Sequence, residues 1–260
     1  MEKGQDPSEM KLMPPCATES CIALQSNRLP TIVLMLDGLR ISAALDIGCG
    51  NGQFMVFLKD RMKVKKVAGV DISEKAVREA RDRGLEAHVV DVSSKNLPFE
   101  NDYFDLVICS EVIEHVFDTD FLLKEIWRVL KANKHLLITT PNLACWHNRL
   151  VLALGFQPHY TSVSPNYDGV GKCLQRPVPH KKEQDETSHI RLFTPRALEE
   201  LLALHKFRID MTRGFTGTLP KAIRPIDSLF SRIPSLASGL AVRAVKEYVQ
   251  SQAFLQTNTK

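Results

Sequence analysis

From residue 41 onward, short apolar runs alternate with segments of helical period. Ile41 to Ile47 is an apolar run that ends in a glycine cluster, and Val67 to Val70 is a second that ends at Asp71. Phe104 to Cys109 and Leu136 to Thr140 follow the same form. Runs of this length with little polar alternation read as strands covered on both faces. Between the first two, Phe54, Phe57 and Leu58 recur at i, i+3 and i+4, which marks one face of a helix. Ser73 is placed to cap a helix running through Ala76, Val77 and Ala80 to a stop at Gly84, with a third strand over Leu85 to Val90. After a turn at Glu100-Asn101-Asp102 and the strand from Phe104, a helix is expected over Phe121 to Leu130. Strands separated by helix-length segments predict βαβ units, and so an α/β fold with a parallel sheet and helices on both faces.

The flanks have a different texture. Residues 1–26 are polar, carry Pro7, Pro14 and Pro15, and read as a flexible leader. Pro30 suits the first turn of a helix over Leu29 to Leu39. Residues 155–190 lose all periodicity, with Gly155, Gly169, Gly171 and prolines at 158, 165, 177 and 179. A stretch that long inside a domain is functional or disordered. Regular structure returns at Thr194-Pro195, where Leu198, Leu201 and Leu202 share a helix face, then at strands over Phe207 to Thr212 and Leu240 to Val245. Between these two, Leu219 to Leu236 carries Pro220, Pro225 and Pro234 and reads as a broken surface helix whose alternating apolar and basic residues suit a membrane surface, with a cap over the sheet as the preferred reading. One domain over 27–248 is expected, with a variable lid from 142–194 and 214–238 and a polar tail at 249–260.

Charge adds a mild asymmetry. Residues 1–150 hold 19 basic and 21 acidic side chains, and residues 151–260 hold 15 and 9, so net −2 is followed by net +6. No dense basic run accompanies this, which favours a small-molecule partner over nucleic acid. The six cysteines form no CxxC pair, so Cys49 and Cys109 read as small core residues rather than zinc ligands. The charged N-terminus is no secretory signal, and Ile32 to Leu36 is too short to span a bilayer, which makes the cytoplasm the expected compartment. Oligomeric state has no signature in this pattern.

The chemistry concentrates in Leu45-Asp46-Ile47-Gly48-Cys49-Gly50-Asn51-Gly52. A glycine turn between a strand and a helix lets backbone approach a ligand where any Cβ would collide, which implies a nucleotide-like cofactor. The spacing is GxGxG with Gln53 where a dinucleotide fingerprint needs its third glycine. Asp46 stands two residues before the loop, where it would repel a pyrophosphate and suit an ammonium or sulfonium group. Asp71 ends the second strand, where a carboxylate can accept from ribose hydroxyls. Asp91, after the third, can meet an adenine amino group or cap its own turn.

With LDIGCGNG (45–52), VAGVDIS (67–73), LPFENDYFDLVICSEVIEHV (97–116) and LKANKHLLITTPN (130–142), the sequence resembles the class I S-adenosylmethionine-dependent methyltransferases. The resemblance implies a Rossmann-like, seven-stranded, mostly parallel sheet with its last strand antiparallel. It implies S-adenosyl-L-methionine as cofactor, with Asp46, Gly48, Gly50 and Gly52 around its methionine part, Asp71 and Ile72 at the ribose, Asp91 and Val92 at the adenine, and Ser110 beside them.

Methyl transfer to a hydroxyl needs the acceptor held in line and its proton removed. Just past the fourth strand stand Glu111, Glu114 and His115, at i, i+3 and i+4, which a helix would put on one face. Two carboxylates and an imidazole suit a general base with its supports, and equally a divalent ion such as magnesium or manganese. The Glu-x-x-Glu-His block is similar to that of ubiquinone-pathway O-methyltransferases and of small-RNA 3′-terminal 2′-O-methyltransferases. By that resemblance His189 joins Glu111, Glu114 and His115 as a candidate ligand. Asn142, Trp146 and His147 are candidates for touching the acceptor, each with a structural alternative as a cap or a half-buried helix face, while His180-Lys181-Lys182 reads as a solvated run. The preferred reading is O-methylation of a small or lipid-like molecule, with a metal-assisted RNA 3′-end methyltransferase and a noncatalytic cofactor-binding scaffold as the alternatives.

Overall fold

The computed structural model describes residues 28–164, 166–173, 175–179 and 189–247. The expected leader and tail, and His180-Lys181-Lys182, lie outside the described residues. In chain order the elements are α1 (Arg28–Leu36), β1 (Ala43–Ile47), α2 (Gln53–Asp60), β2 (Lys66–Asp71), α3 (Glu74–Asp82), β3 (Glu86–Val89) and β4 (Phe104–Ser110). A 3₁₀ turn (Ile113–His115) leads to α4 (Thr119–Val129), β5 (Leu130–Pro141), α5 (Trp146–Ala153), and the two-residue strands β6 (Tyr167–Asp168) and β7 (Val178–Pro179). Then come α6 (Pro195–Leu204), β8 (Phe207–Phe215), a 3₁₀ turn (Lys221–Ile223), α7 (Arg224–Phe230) and β9 (Gly239–Lys246).

Seven strands form one sheet in the order β3-β2-β1-β4-β5-β9-β8. The first five are parallel, and β9 runs antiparallel to both β5 and β8. This is the Rossmann-like sheet expected of the chain, closed by an inserted antiparallel strand. Every residue of β1 is buried, as is every residue of β4 before Ser110, which is why these segments carry no polar alternation. One face of the sheet packs Phe104, Val107, Leu122, Ile126, Leu198 and Phe207, the other Met35, Leu36, Leu58, Leu106, Ile108 and Leu137.

Local rules account for the helix ends. Ser73 Oγ accepts from Ala76 N, Thr194 Oγ1 from Ala197 N, and Asp118 Oδ1 from Phe121 N. Gly84 ends α3 at φ +73°. In α2 the fully buried residues are Met55 and Leu58, whereas Phe54 and Phe57 stack on each other at 5.8 Å on a half-buried flank, so the core-facing stripe is rotated from the expected one. Helix α4 passes directly into β5 at Leu130, six residues ahead of the expected strand start at Leu136.

The parallel strands all end on one edge of the sheet. Register places Ile47 beside both Val70 and Cys109, and Ser110 beside Thr139. The glycine loop, Asp71, the segment after β4 and the paired threonines of β5 therefore meet at a single crevice, the place where open α/β sheets bind ligands.

Candidate functional site

The glycine loop is built by positive-φ backbone. Gly48, Gly50 and Gly52 sit at φ +75°, +52° and +81°. A Cβ at Gly48 would lie 2.2 Å from Val112 Cγ2, and one at Gly52 would lie 2.4 Å from Leu85 Cδ1. Glycine is required twice over, by conformation and by space. Asp71 fixes the loop: Oδ2 accepts from Gly50 N at 2.8 Å and Oδ1 from Ser73 N at 2.9 Å. Asp46 lies beneath it, 4% exposed, and burial together with the neighbouring charge of Asp71 pushes its carboxyl up to about 8. Ile72, by contrast, projects from the end of β2 with 66% of its surface exposed, an apolar plate at the lip of the crevice.

Asp91 is engaged in its own turn, accepting from Ser93 N at 2.9 Å and Ser94 Oγ at 2.6 Å. Those two bonds hold its carboxyl below the ordinary carboxylate range. Val92 packs half-buried against the core. The capping alternative thus describes Asp91 as it stands, with the carboxylate oriented by the turn.

The segment after β4 departs from the one-face expectation. Glu111 takes φ +55°, which a helix excludes, and only Ile113–His115 form a single 3₁₀ turn. The three candidates consequently divide. Glu111 turns back to the sheet, where Oε1 accepts from Thr139 Oγ1 at 2.9 Å and Oε2 pairs with Arg28 Nη1 at 3.1 Å. Ser110 Oγ joins the same chain through Thr139 Oγ1 at 2.8 Å.

Glu114 goes inward and is fully buried. Its Oε2 accepts from Thr140 Oγ1 at 3.0 Å, while Oε1 has no hydrogen-bond partner among the described residues. Burial raises this carboxyl to about 7, against the lowering effects of its hydrogen bonds and of Arg28. His115 points to His189, with ring centroids 4.9 Å apart. One ligand atom from each of Glu114, His115 and His189 lies within 4.8 Å of the others. His189 is brought there by backbone: Ile190 N and Arg191 N both donate to Glu114 O, at 2.8 and 3.0 Å, and Arg191 also grips Phe117 O. Phe193 completes the block by bridging to Asn142 and entering the core. Burial, then the neighbouring His115, lowers the affinity of His189 for a proton.

Asn142, Trp146 and His147 take the structural alternatives. Asn142 is fully buried, donating to Ala237 O and Pro234 O and accepting from Ala144 N, so it clamps the end of β5 to the 234–237 segment. Trp146 Nε1 donates to Asp227 Oδ1 at 2.9 Å. His147 lies buried against Ser238 Oγ and Cys145 Sγ, and burial, then His159, drives its imidazole down to about 4. Asp227, which carries no sequence signal, ties α5 to the segments around Gly217 and Ser238. Besides Trp146 it accepts from Ser238 Oγ at 2.5 Å and from Gly217 N at 2.9 Å. Tyr160 was equally unmarked. It lies between His147 and His189, with ring centroids 6.5 and 5.9 Å away, and connects the lid to the Glu114 turn. Arg28 has no sequence signal either, because a single arginine before an apolar helix looks like any surface charge.

Residues 45–138 match a methyltransferase domain family. Among curated relatives, 27-O-demethylrifamycin SV methyltransferase of Amycolatopsis mediterranei is 35% identical over 98 residues, 35% of this chain and 36% of that protein. Malonyl-[acyl-carrier protein] O-methyltransferase of Salmonella typhimurium is 25% identical over 122 residues, 47% of this chain and 48% of that one. The chain thus spans less than half the length of these relatives. An S-adenosylmethionine-dependent methyltransferase of Mesorhizobium loti superposes with a TM-score of 0.59 at 20% identity, covering 85% of this chain and 98% of that structure. At that identity the superposition speaks for the fold, and it agrees with the strand order above. Among the described residues no helix is long and apolar enough to cross a membrane. Residues 45–138 thus match a methyltransferase domain, and the seven-stranded sheet that carries the glycine loop has the fold of solved S-adenosylmethionine-dependent methyltransferases.

Proposed function

We propose that this protein transfers a methyl group from S-adenosyl-L-methionine to a hydroxyl oxygen of a small or lipid-like molecule. The observation that carries the choice of oxygen is the convergence of Glu114, His115 and His189 beside the glycine loop, where Val112 packs on Gly48 and Glu114 follows two residues later. In this reading Asp46 and the loop glycines hold the methionine part of the cofactor, Asp71 and Ile72 the ribose, and Asp91 and Val92 the adenine. His115 accepts the hydroxyl proton. The buried Glu114 carboxylate favours the imidazolium that results, and His189, held neutral by burial, bonds the acceptor oxygen. Ser110 and Glu111 act at one remove, through Thr139 and Arg28, in shaping the methionine end of the crevice. The two relatives named above as O-methyltransferase and O-demethylrifamycin methyltransferase support a hydroxyl or carboxyl acceptor.

A second reading is favoured by the same three donors. Glu114 Oε1 is buried without a partner among the described residues, and one carboxylate with two imidazoles suits magnesium, manganese or a borderline divalent ion. Such an ion would lower the pKa of a bound hydroxyl. Glu114, His115 and His189 would hold it, and Glu111, turned to Arg28, would not. An RNA 3′-terminal 2′-hydroxyl is the alternative acceptor for a site of that kind.

The test is His115→Ala, assayed for S-adenosylhomocysteine binding by calorimetry and for methyl transfer across hydroxylated acceptors. Binding within about twofold of the parent, together with transfer lowered by about 10²–10⁴, is expected for loss of a general base. Retained transfer refutes the role. Manganese titrated into metal-stripped protein and into Glu114→Gln separates the two readings, since only the second expects an uptake that the variant loses.

A further inference from the structure

Beyond the crevice, the lid carries an outward surface with an unusual combination of side chains. Helix α5 and the loop after it expose Leu150, Leu152, Leu154 and Phe156, with Leu154 71% open to solvent. Helix α7 exposes Ile226 and Leu229, three residues apart on one helical face, and the turn after it exposes Ile233. The two helices are joined into one body. Trp146 of α5 stacks on Phe230 of α7 at 5.5 Å and bonds Asp227, Trp146 N donates to Leu236 O, and Arg149 Nη2 donates to Ser235 O.

Charge decides what such a surface fits. Arg149, Lys221, Arg224 and Arg232 are exposed around these apolar side chains. Residues 142–164 contain no acidic residue at all, and the one acid in 213–236, Asp227, is buried inside the lid with three donors on it. A soluble protein's apolar surface residues are scattered singly among charges of both signs. Large exposed aliphatic side chains, with basic residues beside them and no exposed carboxylate in segments 142–164 and 213–236, are the composition that suits a bilayer interface.

We propose that the α5–α7 face docks on an anionic lipid bilayer, its leucines and isoleucines entering the headgroup boundary and Lys221 and Arg232 meeting lipid phosphates. This attachment is peripheral, and it stands independently of the methyl acceptor proposed above. A second copy of the chain is the other occupant an apolar face can take. It is disfavoured because like-charged rims would oppose each other across a two-fold axis.

The experiment uses the whole chain in vesicle co-flotation, with vesicles of phosphatidylcholine alone and of phosphatidylcholine with phosphatidylglycerol. Sedimentation velocity without lipid runs beside it. The parent protein is expected to float with the anionic vesicles only. Lys221→Gln with Arg232→Gln lowers partition by about 25-fold, at about fivefold for each basic side chain near an anionic surface. Leu150→Asp with Leu229→Asp lowers it further, and each variant keeps the parent's thermal midpoint because these side chains are already exposed. Absence of parent binding to anionic vesicles overturns the proposal, as does binding that both variants retain. A concentration-dependent dimer abolished by Leu229→Asp, without vesicle binding, assigns the face to a second copy instead. S-adenosylhomocysteine binding, measured on the same samples, reports the cofactor site separately.

Discussion

Asp46 is a carboxylate kept where a folded protein would rather have none. In the cofactor-free protein burial and Asp71 raise it from 3.8 to about 8. At neutral pH about nine in ten copies are then protonated, and holding the proton costs about 4 kcal/mol of folding stability, at about 1.4 kcal/mol per unit between 3.8 and 7. The sign follows from a folded value raised above the unfolded one. Stability is fully present below the unfolded value and is lost as pH rises toward 8. Asp46→Asn removes the ionisation at constant shape, so its advantage over the parent grows with pH, from about 2 kcal/mol near pH 5 to about 5 kcal/mol near pH 8. Even half of the neutral-pH figure raises the thermal midpoint by about 4–8 °C for a chain of this size. The same substitution weakens S-adenosylhomocysteine affinity by about tenfold or more, because the α-ammonium of the ligand loses its counter-charge. Parent binding at neutral pH releases proton as Asp46 ionises, read as the buffer dependence of the calorimetric enthalpy, and the variant releases none from this site. The reasoning is refuted by a stability difference that does not change between pH 5 and pH 8, or by equal proton release from both proteins.

Other substitutions test neighbouring steps. Asp71→Ala orphans Gly50 N and Ser73 N, and should cost about 1–3 kcal/mol in urea unfolding while lowering S-adenosylhomocysteine affinity more than tenfold. Unchanged affinity would remove it from the ribose. Gly48→Ala drives a methyl into Val112 at a left-handed backbone, and Gly48→Ala with Val112→Ala should recover part of the lost thermal midpoint if the collision is the cause. Asp227→Ala strips one acceptor from three donors, and a loss of about 3 kcal/mol with faster proteolysis of the lid is expected, whereas Asp227→Asn should lose less. Methyl transfer should rise with pH through about 7 as Glu114 ionises, and Glu114→Gln should flatten that limb of the profile.

The half of the site proposed to hold cofactor is legible in sequence because its parts are local. A strand, a glycine turn and a helix follow one another within the segment 43–60, and Gly48, Gly50 and Gly52 must be glycine for reasons that travel with the backbone. Asp71 and Asp91 stand where strands stop, and a stop is visible as the end of an apolar run. The α2 face was less legible, since Met55 and the two phenylalanines are all apolar and only the tilt of the helix on β2 decides which goes in. The long start of β5 is hidden for a similar reason. Lys131 and Lys134 break its apolar pattern, yet both reach Asp105 at the base of β4, so the strand is held there by ion pairs rather than burial.

The half proposed to face the acceptor is written in contacts the pattern does not contain. Glu111, Glu114 and His115 have helical spacing, but one residue at φ +55° sends Glu111 to Thr139 and Arg28 and leaves Glu114 to go inward. Which oxygen each carboxylate meets is set by the pairing of β4 with β5, where Ser110 lies opposite Thr139, and no local rule states that register. His189 reaches His115 because the Glu114 carbonyl accepts from Ile190 N and Arg191 N. The turn therefore positions the histidine pair through its main chain, and in the proposed reading serves the acceptor with its side chain. The two roles are separable: Glu114→Gln keeps both backbone bonds, and with them the His115–His189 contact, while deleting the buried carboxylate beside it. A change in the pH profile of transfer without a change in the thermal midpoint would assign the carboxylate to chemistry, and the carbonyl alone to holding the site together.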